Sequence, residues 1–225
     1  MDGAEMKKNC AKAALGYIQN NTVIGLGGGS TISHLIDLIR IEKLDVRVVT
    51  PSFQTKMRCL EKGLHVIPTF SVDRIAIAFD GCDEVDAQLH ALKSGGGIHT
   101  KEKLIGTMAD TYILLADESK FAETLAFKHP VCLEILEDAL SYVEKEVRVL
   151  GGEPCLRRSN AKDGITVSDY GHLLMDVRFS NVQNIKQLDH DLNHIAGVVD
   201  TSLFVGVANK ALIAGESGIR VVEKL

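Results

Sequence analysis

TVIGLGGGSTISHLIDLIR, residues 22–40, decides the fold. Residues 22–26 are short, apolar and rich in β-branched side chains, which predicts a strand. Gly27, Gly28 and Gly29 then predict a tight turn, and Ile32, Leu35, Ile36 and Ile39 follow at helical spacing. Ser30 or Thr31 is the expected cap of that helix.

The same alternation extends outward. Residues 5–19 predict a helix with Ala14, Leu15 and Ile18 on one face. Downstream come VRVVT (46–50) as a strand, a helix across 52–62, HVIP (65–68) as a short strand and RIAIAF (74–79) as a buried strand. A helix over 101–110 and the strand TYILLAD (111–117) complete the region. Strands alternating with helices imply a parallel sheet wound by right-handed crossovers. After Lys128-His129-Pro130 the rhythm changes. VCLEI predicts a strand, ILEDALSYVEKEV a helix, then EPCLRRS and HLLMDVRF two strands around the turn SDYGH. A helix through 183–194 and the strand VVDTSLFV follow, giving the β-α-β-β-α-β order of a ferredoxin-like unit. The tail ALIAGESGIRVVEKL predicts two short strands that return to the first sheet. The expected architecture is α/β: a Rossmann-like parallel-sheet domain, residues 1–128 plus 203–225, with an inserted ferredoxin-like α+β domain, residues 129–202.

Composition narrows the class. The 225 residues are 45% hydrophobic and 24% charged, as in a soluble globular protein with an ample core. Tryptophan is absent, aromatics are 5%, the net charge is −5, and no basic block occurs, so nucleic acid is not an expected partner. No apolar run approaches a membrane span. The five cysteines (Cys10, Cys59, Cys82, Cys132, Cys155) are scattered without a CxxC pair, which predicts reduced thiols in a cytoplasmic protein. An anionic ligand would meet mild repulsion overall, so its site must be made locally positive by lysines and helix amino-termini.

The chemistry concentrates in DGCDEVDAQLHALKSGGGIHTKEK, residues 80–103, followed by LLADESK, residues 114–120. Asp80, Asp83 and Glu84 close an apolar strand, where open α/β folds keep their ligand sites. Lys93, the glycine run after Ser94, Glu102 and Lys120 follow. Acids for hydroxyls, lysines for anionic oxygens and glycines for close backbone approach suggest a phosphorylated polyol. A calcium loop starting at Asp80 would need glycine and an acid where Val85 and Ala91 stand; magnesium held by two carboxylates stays open as a minor alternative. GLGGGST is neither a P-loop, since Gly29 replaces the lysine, nor a dinucleotide fingerprint, since Ser30 replaces the last glycine. It remains a generic anion nest. Taken alone, Glu102 between Lys101 and Lys103 would suggest an exposed helix start, His190 and His194 a solvated helix face, and Cys82 a small buried filler.

Together, GLGGGST, DGCDE, K-S-G-G-G with Glu102 nine residues after the lysine, and ADESK closely resemble type A ribose-5-phosphate isomerases. GGEPCLR, SDYGH, IAGVVDTSLF and IAGESGIRVVEK extend the resemblance over nearly the whole chain. It implies interconversion of ribose 5-phosphate and ribulose 5-phosphate with no metal or organic cofactor, in a cytoplasmic homodimer or homotetramer. It also implies roles. Glu102 would shuttle the proton between C1 and C2, and Asp80 and Asp83 would engage sugar hydroxyls and assist ring opening. Lys93 would stabilise the charged intermediate. Gly28, Gly29, Ser30, Thr31, Gly81, Cys82, Ser94, Gly95 and Gly96 would line the substrate site, and Lys120 and Lys7 would approach the phosphate. Gly28, Cys82 and Ser94 stand where the family usually has threonine, alanine and glycine. A non-catalytic sugar-phosphate sensor and a coenzyme A transferase are the rivals. The intact set Glu102, Asp80, Asp83 and Lys93 favours the isomerase.

Overall fold

The computed structural model describes residues 3–160 and 163–224. The first strands are β1 (Thr22–Leu26), β2 (Val46–Val49), β3 (His65–Val66) and β4 (Ile77–Gly81), joined through helices α2 (Ser30–Ile41) and α3 (Phe53–Glu61). Helix α1 (Gly3–Leu15) precedes them. Short strands β5 (Glu84–Asp86) and β6 (Ala91–Leu92) lead to helix α4 (His99–Met108), β7 (Tyr112–Asp117) and β8 (Phe121–Ala122). A second unit runs β9 (Val131–Ile135), α5 (Leu140–Val149), β10 (Gly152–Leu156), β11 (Leu173–Phe179), α6 (Ile185–Asn193) and β12 (Val198–Thr201). Then come β13 (Leu203–Phe204), β14 (Lys210–Gly215) and β15 (Gly218–Glu223).

The main sheet has the order β15-β14-β7-β4-β1-β2-β3, parallel except for the edge strand β15. Its chain path runs outward from β1 through β2 to β3 on one side, and from β4 through β7 to β14 on the other. The direction reverses between β1 and β4, and at such a switch point the loops diverge and leave a crevice. Both faces of the sheet are covered, so alternate residues of one strand enter two different cores. Ile113, Leu115 and Leu212 pack with Ala11, Ala14, Leu35 and Ile39 under α1 and α2. Tyr112, Leu114 and Ile213 pack with Ile105 of α4 and with Phe204 on the opposite face.

The second unit is an antiparallel sheet of order β10-β11-β9-β12 with its own core, built on Val131, Leu133, Met175, Val177 and Leu192. That order is the ferredoxin-like one. A third small sheet, β13-β6-β5-β8, stands between the two. Its strands are two or three residues long and carry no periodic signal, so nothing local announces it. The run VVDTSLFV, expected as one strand, is divided at Ser202: β12 joins β9 and β13 joins β6. Ser202 donates its amide to Cys132 O (2.7 Å) and accepts from the Lys93 amide (3.0 Å), so it staples the antiparallel unit to the segment carrying Lys93.

Other differences are local. The cap of α2 is Gly29, with φ 91° and no side-chain cap bond, not Ser30 or Thr31. A left-handed backbone there favours glycine, and it turns Ser30 and Thr31 into the first two helical residues. Helix α4 starts at His99, two residues before the expected position, which sets Glu102 in its first turn.

One glycine controls how close α4 lies to the sheet. A Cβ on Gly25 of β1 would come within 2.6 Å of Ala78 Cβ and 2.7 Å of Ile105 Cγ2. Gly25→Ala must push α4 off the sheet, and such overpacking costs about 1–3 kcal/mol. A fall in Tm of about 2–4 °C per kcal/mol is expected for a chain of this length, measured by thermal unfolding; an unchanged Tm would show that the packing yields freely.

Candidate active site

The carboxyl ends of β1, β4 and β7 open into a cavity of about 500 Å³ at the switch point. Asp80, near the end of β4, stands at its floor and is 3% exposed. Its Oδ1 accepts from the amides of Gly81 (2.8 Å) and Gly28 (3.3 Å). Its Oδ2 accepts from the Tyr112 hydroxyl (3.3 Å) and pairs with Lys93 Nζ (3.1 Å). This depends on Gly27, where a Cβ would lie 1.9 Å from Asp80 Oδ1, and Thr55 holds that glycine by donating to its carbonyl (2.7 Å).

Lys93 leaves β6 and is buried with Asp80 and Glu102. Its ammonium has three hydrogens and three acceptors: Gly81 O at 2.5 Å, Asp80 Oδ2 at 3.1 Å and Glu102 Oε1 at 3.2 Å. Two carboxylates share one cation, so the buried triad would carry −1 with both acids ionised. Burial, then the Asp80 charge, push the Glu102 carboxyl above its usual range, and Lys93 offsets only part of this. For Lys93 burial favours loss of the proton, but the charges of Asp80 and Glu102 outweigh it and hold the ammonium firmly protonated. A carboxylate poised upward beside a fixed cation has the character of a general base working near neutral pH.

The glycine loop forms one wall. Asp83 Oδ2 accepts from the amides of Ser94 (2.7 Å) and Gly95 (2.9 Å), which shapes the loop. Gly28, Gly29, Ser30, Thr31, Gly81, Cys82, Asp83, Gly95, Gly96, Lys120 and Lys7 all line the cavity with the triad. Ser94 does not. Its hydroxyl donates to Pro130 O (2.5 Å) and lies 3.1 Å from Ser202 Oγ, so the side chain ties the loop to the antiparallel unit. Lys120 donates to Cys82 O (2.7 Å). Burial pushes the Cys82 thiol up to about 12, consistent with a filler. Gly28 is not among the glycines of positive φ, and a Cβ there would lie 3.8 Å from Ser52 Oγ, an ordinary contact.

Some neighbours escaped the sequence reading. Ser52, Phe53 and Gln54, at the start of α3, line the cavity, and so does Asp169 from the SDYGH turn of the second unit. Ser52 was legible as a helix cap, since its Oγ accepts from Thr55 N (3.2 Å). Asp169 lies in a turn legible from the sequence, but nothing local places that turn at the cavity. Glu84, grouped with the acids of the motif, turns away and accepts from the amides of Ala126 (3.1 Å) and His129 (2.8 Å). Lys101 and Lys103 are not a free solvated pair: Lys101 meets Asp169 (2.6 Å) and Lys103 meets Asp200 (2.5 Å). Among the described residues no group of three or more His, Cys, Asp or Glu could hold a metal ion; His190 and His194 stack on one another, with His194 Nδ1 2.7 Å from His190 O.

A family model for ribose 5-phosphate isomerase A (phosphoriboisomerase A) matches residues 47–218, which include the triad and Lys120. The chain belongs to that family. Relatives in the ribose 5-phosphate isomerase A family match over nearly the full length of the chain. Ribose-5-phosphate isomerase A of Synechococcus sp. is 39% identical, over 96% of this chain and 95% of that protein. The structure of ribose 5-phosphate isomerase A from Methanocaldococcus jannaschii superposes with TM-score 0.92 at 32% identity, covering 99% of this chain and 100% of that one. A D-ribose-5-phosphate isomerase in complex with phospho-erythronic acid gives TM-score 0.95 at 33% identity, with complete coverage of both chains.

The charge imbalance of the triad has a thermodynamic consequence. A glutamate whose folded pKa is raised destabilises the fold once the unfolded chain has lost the proton that the folded one retains. Glu102→Gln is therefore expected to stabilise the protein by about 1–2 kcal/mol at neutral pH, the usual size of such gains at functional sites. The gain should be absent below the unfolded glutamate value of about 4.3, grow through the window up to the raised folded value, and then level off. Denaturant unfolding of both proteins across pH checks this; a variant less stable at pH 7 would contradict the imbalance.

Proposed function

We propose that this chain interconverts D-ribose 5-phosphate and D-ribulose 5-phosphate, in the non-oxidative pentose phosphate pathway, through an enediolate formed beside Lys93. The observation that carries this reading is the single ammonium shared by Asp80 and Glu102 at the floor of the cavity. Glu102 takes the proton from C2 of the open-chain aldose. The C2–H bonding pair becomes the C1–C2 double bond, and the carbonyl pair moves onto O1. Glu102 is then neutral and loosens its hold on Lys93, which turns the freed N–H to the new oxyanion. The negative charge passes from carboxylate to substrate while the buried cation stays paired throughout, so little reorganisation accompanies the step. Return of the proton to C1, with the hydroxyl proton of O2 passing to O1, yields the ketose.

The other groups bind and orient. Asp80 has both oxygens engaged by amides, Tyr112 and Lys93, so its part is to hold Lys93 and its charge. Asp83 has Oδ2 filled by two amides and keeps Oδ1 for a sugar hydroxyl and for ring opening. The phosphate belongs at the amino-terminus of α2, with Ser30, Thr31, Lys7 and Lys120, where backbone amides and the helix dipole favour an anion. Its binding energy orients the reacting carbons. Phospho-erythronic acid, bound by a relative, is likewise a phosphorylated polyol carrying an anionic oxygen end. Lys93 meets the charge of the intermediate, so the reaction needs no cofactor.

The chain acts in the cytoplasm, where its five free thiols would stay reduced. No helix of the described residues is long and apolar enough to cross a membrane. It works as a homodimer or homotetramer; the exposed Phe70, Leu104 and Tyr170, which share one recess, supply apolar surface for self-association.

Glu102→Gln keeps the shape of the base but cannot accept a proton. Turnover of ribose 5-phosphate, followed by ketose formation, should fall about 10²–10⁴-fold; activity within threefold of the parent, roughly 0.7 kcal/mol in barrier, would remove Glu102 from the role.

The pH profile gives an independent check. As pH falls through the raised pKa of Glu102 the base is protonated and the rate drops. The acid limb of kcat/KM should therefore lie above the ordinary glutamate value of about 4.3. A limb at the ordinary value would mean that Lys93 fully compensates burial and the Asp80 charge.

A further inference from the structure

Helix α4 begins without a cap of its own, because Ile98 at the cap position offers no side-chain acceptor. Its first turn is gripped instead by the antiparallel unit. The Thr100 hydroxyl donates to Oε2 of Glu134, a residue of β9 that is 1% exposed and lines no part of the main cavity. The other Glu134 oxygen accepts from the Ser168 hydroxyl (2.6 Å) and meets His172 Nδ1 (2.7 Å). Ser168 Oγ in turn accepts from the amides of Tyr170 (3.2 Å) and His172 (3.3 Å), which closes the turn that carries Asp169 to the cavity rim. Burial alone would favour a neutral carboxyl, but the bonds from Ser168, Thr100 and His172 hold Glu134 below the usual carboxylate range. Its negative charge beside the start of α4 also suits the helix dipole.

Thr100 and Glu102 are two residues apart on a helix, so they point to nearly opposite sides. Thr100 faces the antiparallel unit and Glu102 the parallel sheet. We propose that Glu134, acting through Thr100, is a positioning residue for Glu102: it fixes the first turn of α4 so that the Glu102 carboxylate stays within reach of Lys93 and of the reacting carbons. This rests on Glu102 being the base of the isomerisation. A single buried carboxylate thereby links the second unit to the chemistry, without touching substrate.

Thr100→Val removes the hydroxyl with little change of shape, and Thr100→Ser restores it. Steady-state kinetics, well below the Tm of each variant, should show kcat of Thr100→Val reduced about tenfold with KM within about twofold, as for a small displacement of a catalytic group. Thr100→Ser should return kcat to within about twofold, and Glu134→Gln combined with Thr100→Val should lose less than the product of the two single losses, because the two residues share a link. If Glu134→Gln does not fold, the Val and Ser pair decides alone. A Thr100→Val enzyme with unchanged kcat, or with the whole loss in KM, would overturn the proposal, even if its Tm fell. Glu102→Gln measured alongside separates the two failures. Inactive Glu102→Gln with fully active Thr100→Val leaves the base and removes the positioning role, whereas active Glu102→Gln removes both.

Discussion

One ammonium group serving two buried carboxylates governs this protein. Lys93 bridges Asp80 and Glu102 at 3.1 and 3.2 Å, in a place where little of any of the three is exposed. Buried ion pairs seldom add stability, since desolvation offsets their attraction. Here the imbalance is the useful property. Burial, then the Asp80 charge, raises the proton affinity of Glu102, while Lys93 stays protonated; in the proposed reaction it is the group that would receive the oxyanion. On the proposed mechanism, the same arrangement that weakens the fold at neutral pH would lower the barrier for moving a proton.

The scaffold around the triad exists to let backbone come close. Gly27 admits the Asp80 carboxylate and Gly25 admits α4 against the sheet, each where a Cβ would overlap a neighbour. Gly29, in a left-handed conformation, frees Ser30 and Thr31 to face the cavity. These glycines do different work. Two remove bulk, and the third supplies a turn.

The antiparallel unit takes part in the site from behind. Arg157 pairs with Asp176 and donates to Ser94 O (2.8 Å), so it braces the loop between Lys93 and α4. Ser94, Ser202, Glu134 and Asp200 add further ties, all reaching the glycine loop, the start of α4 or the adjoining end of β9. A unit with a separate core thus constrains the glycine loop and α4 on the side away from the cavity.

The sequence by itself determined the α/β alternation, the ferredoxin-like order of the second unit, the strand end that carries Asp80, and the residue types of the site. Those are local properties: apolar period, turn chemistry and the order of motifs along the chain. Even Glu102, Lys93 and the glycine loop were legible, because their spacing matches a family pattern. Tertiary structure decided the rest. It turned Ser94 away from the cavity, brought in Asp169, split VVDTSLFV between two sheets, and tied Lys103 to Asp200 across 97 residues. It also set the proton affinity of Glu102, which depends on burial and on Asp80, 22 positions earlier. Pairings across such separations follow from which faces pack together, and no local pattern encodes them.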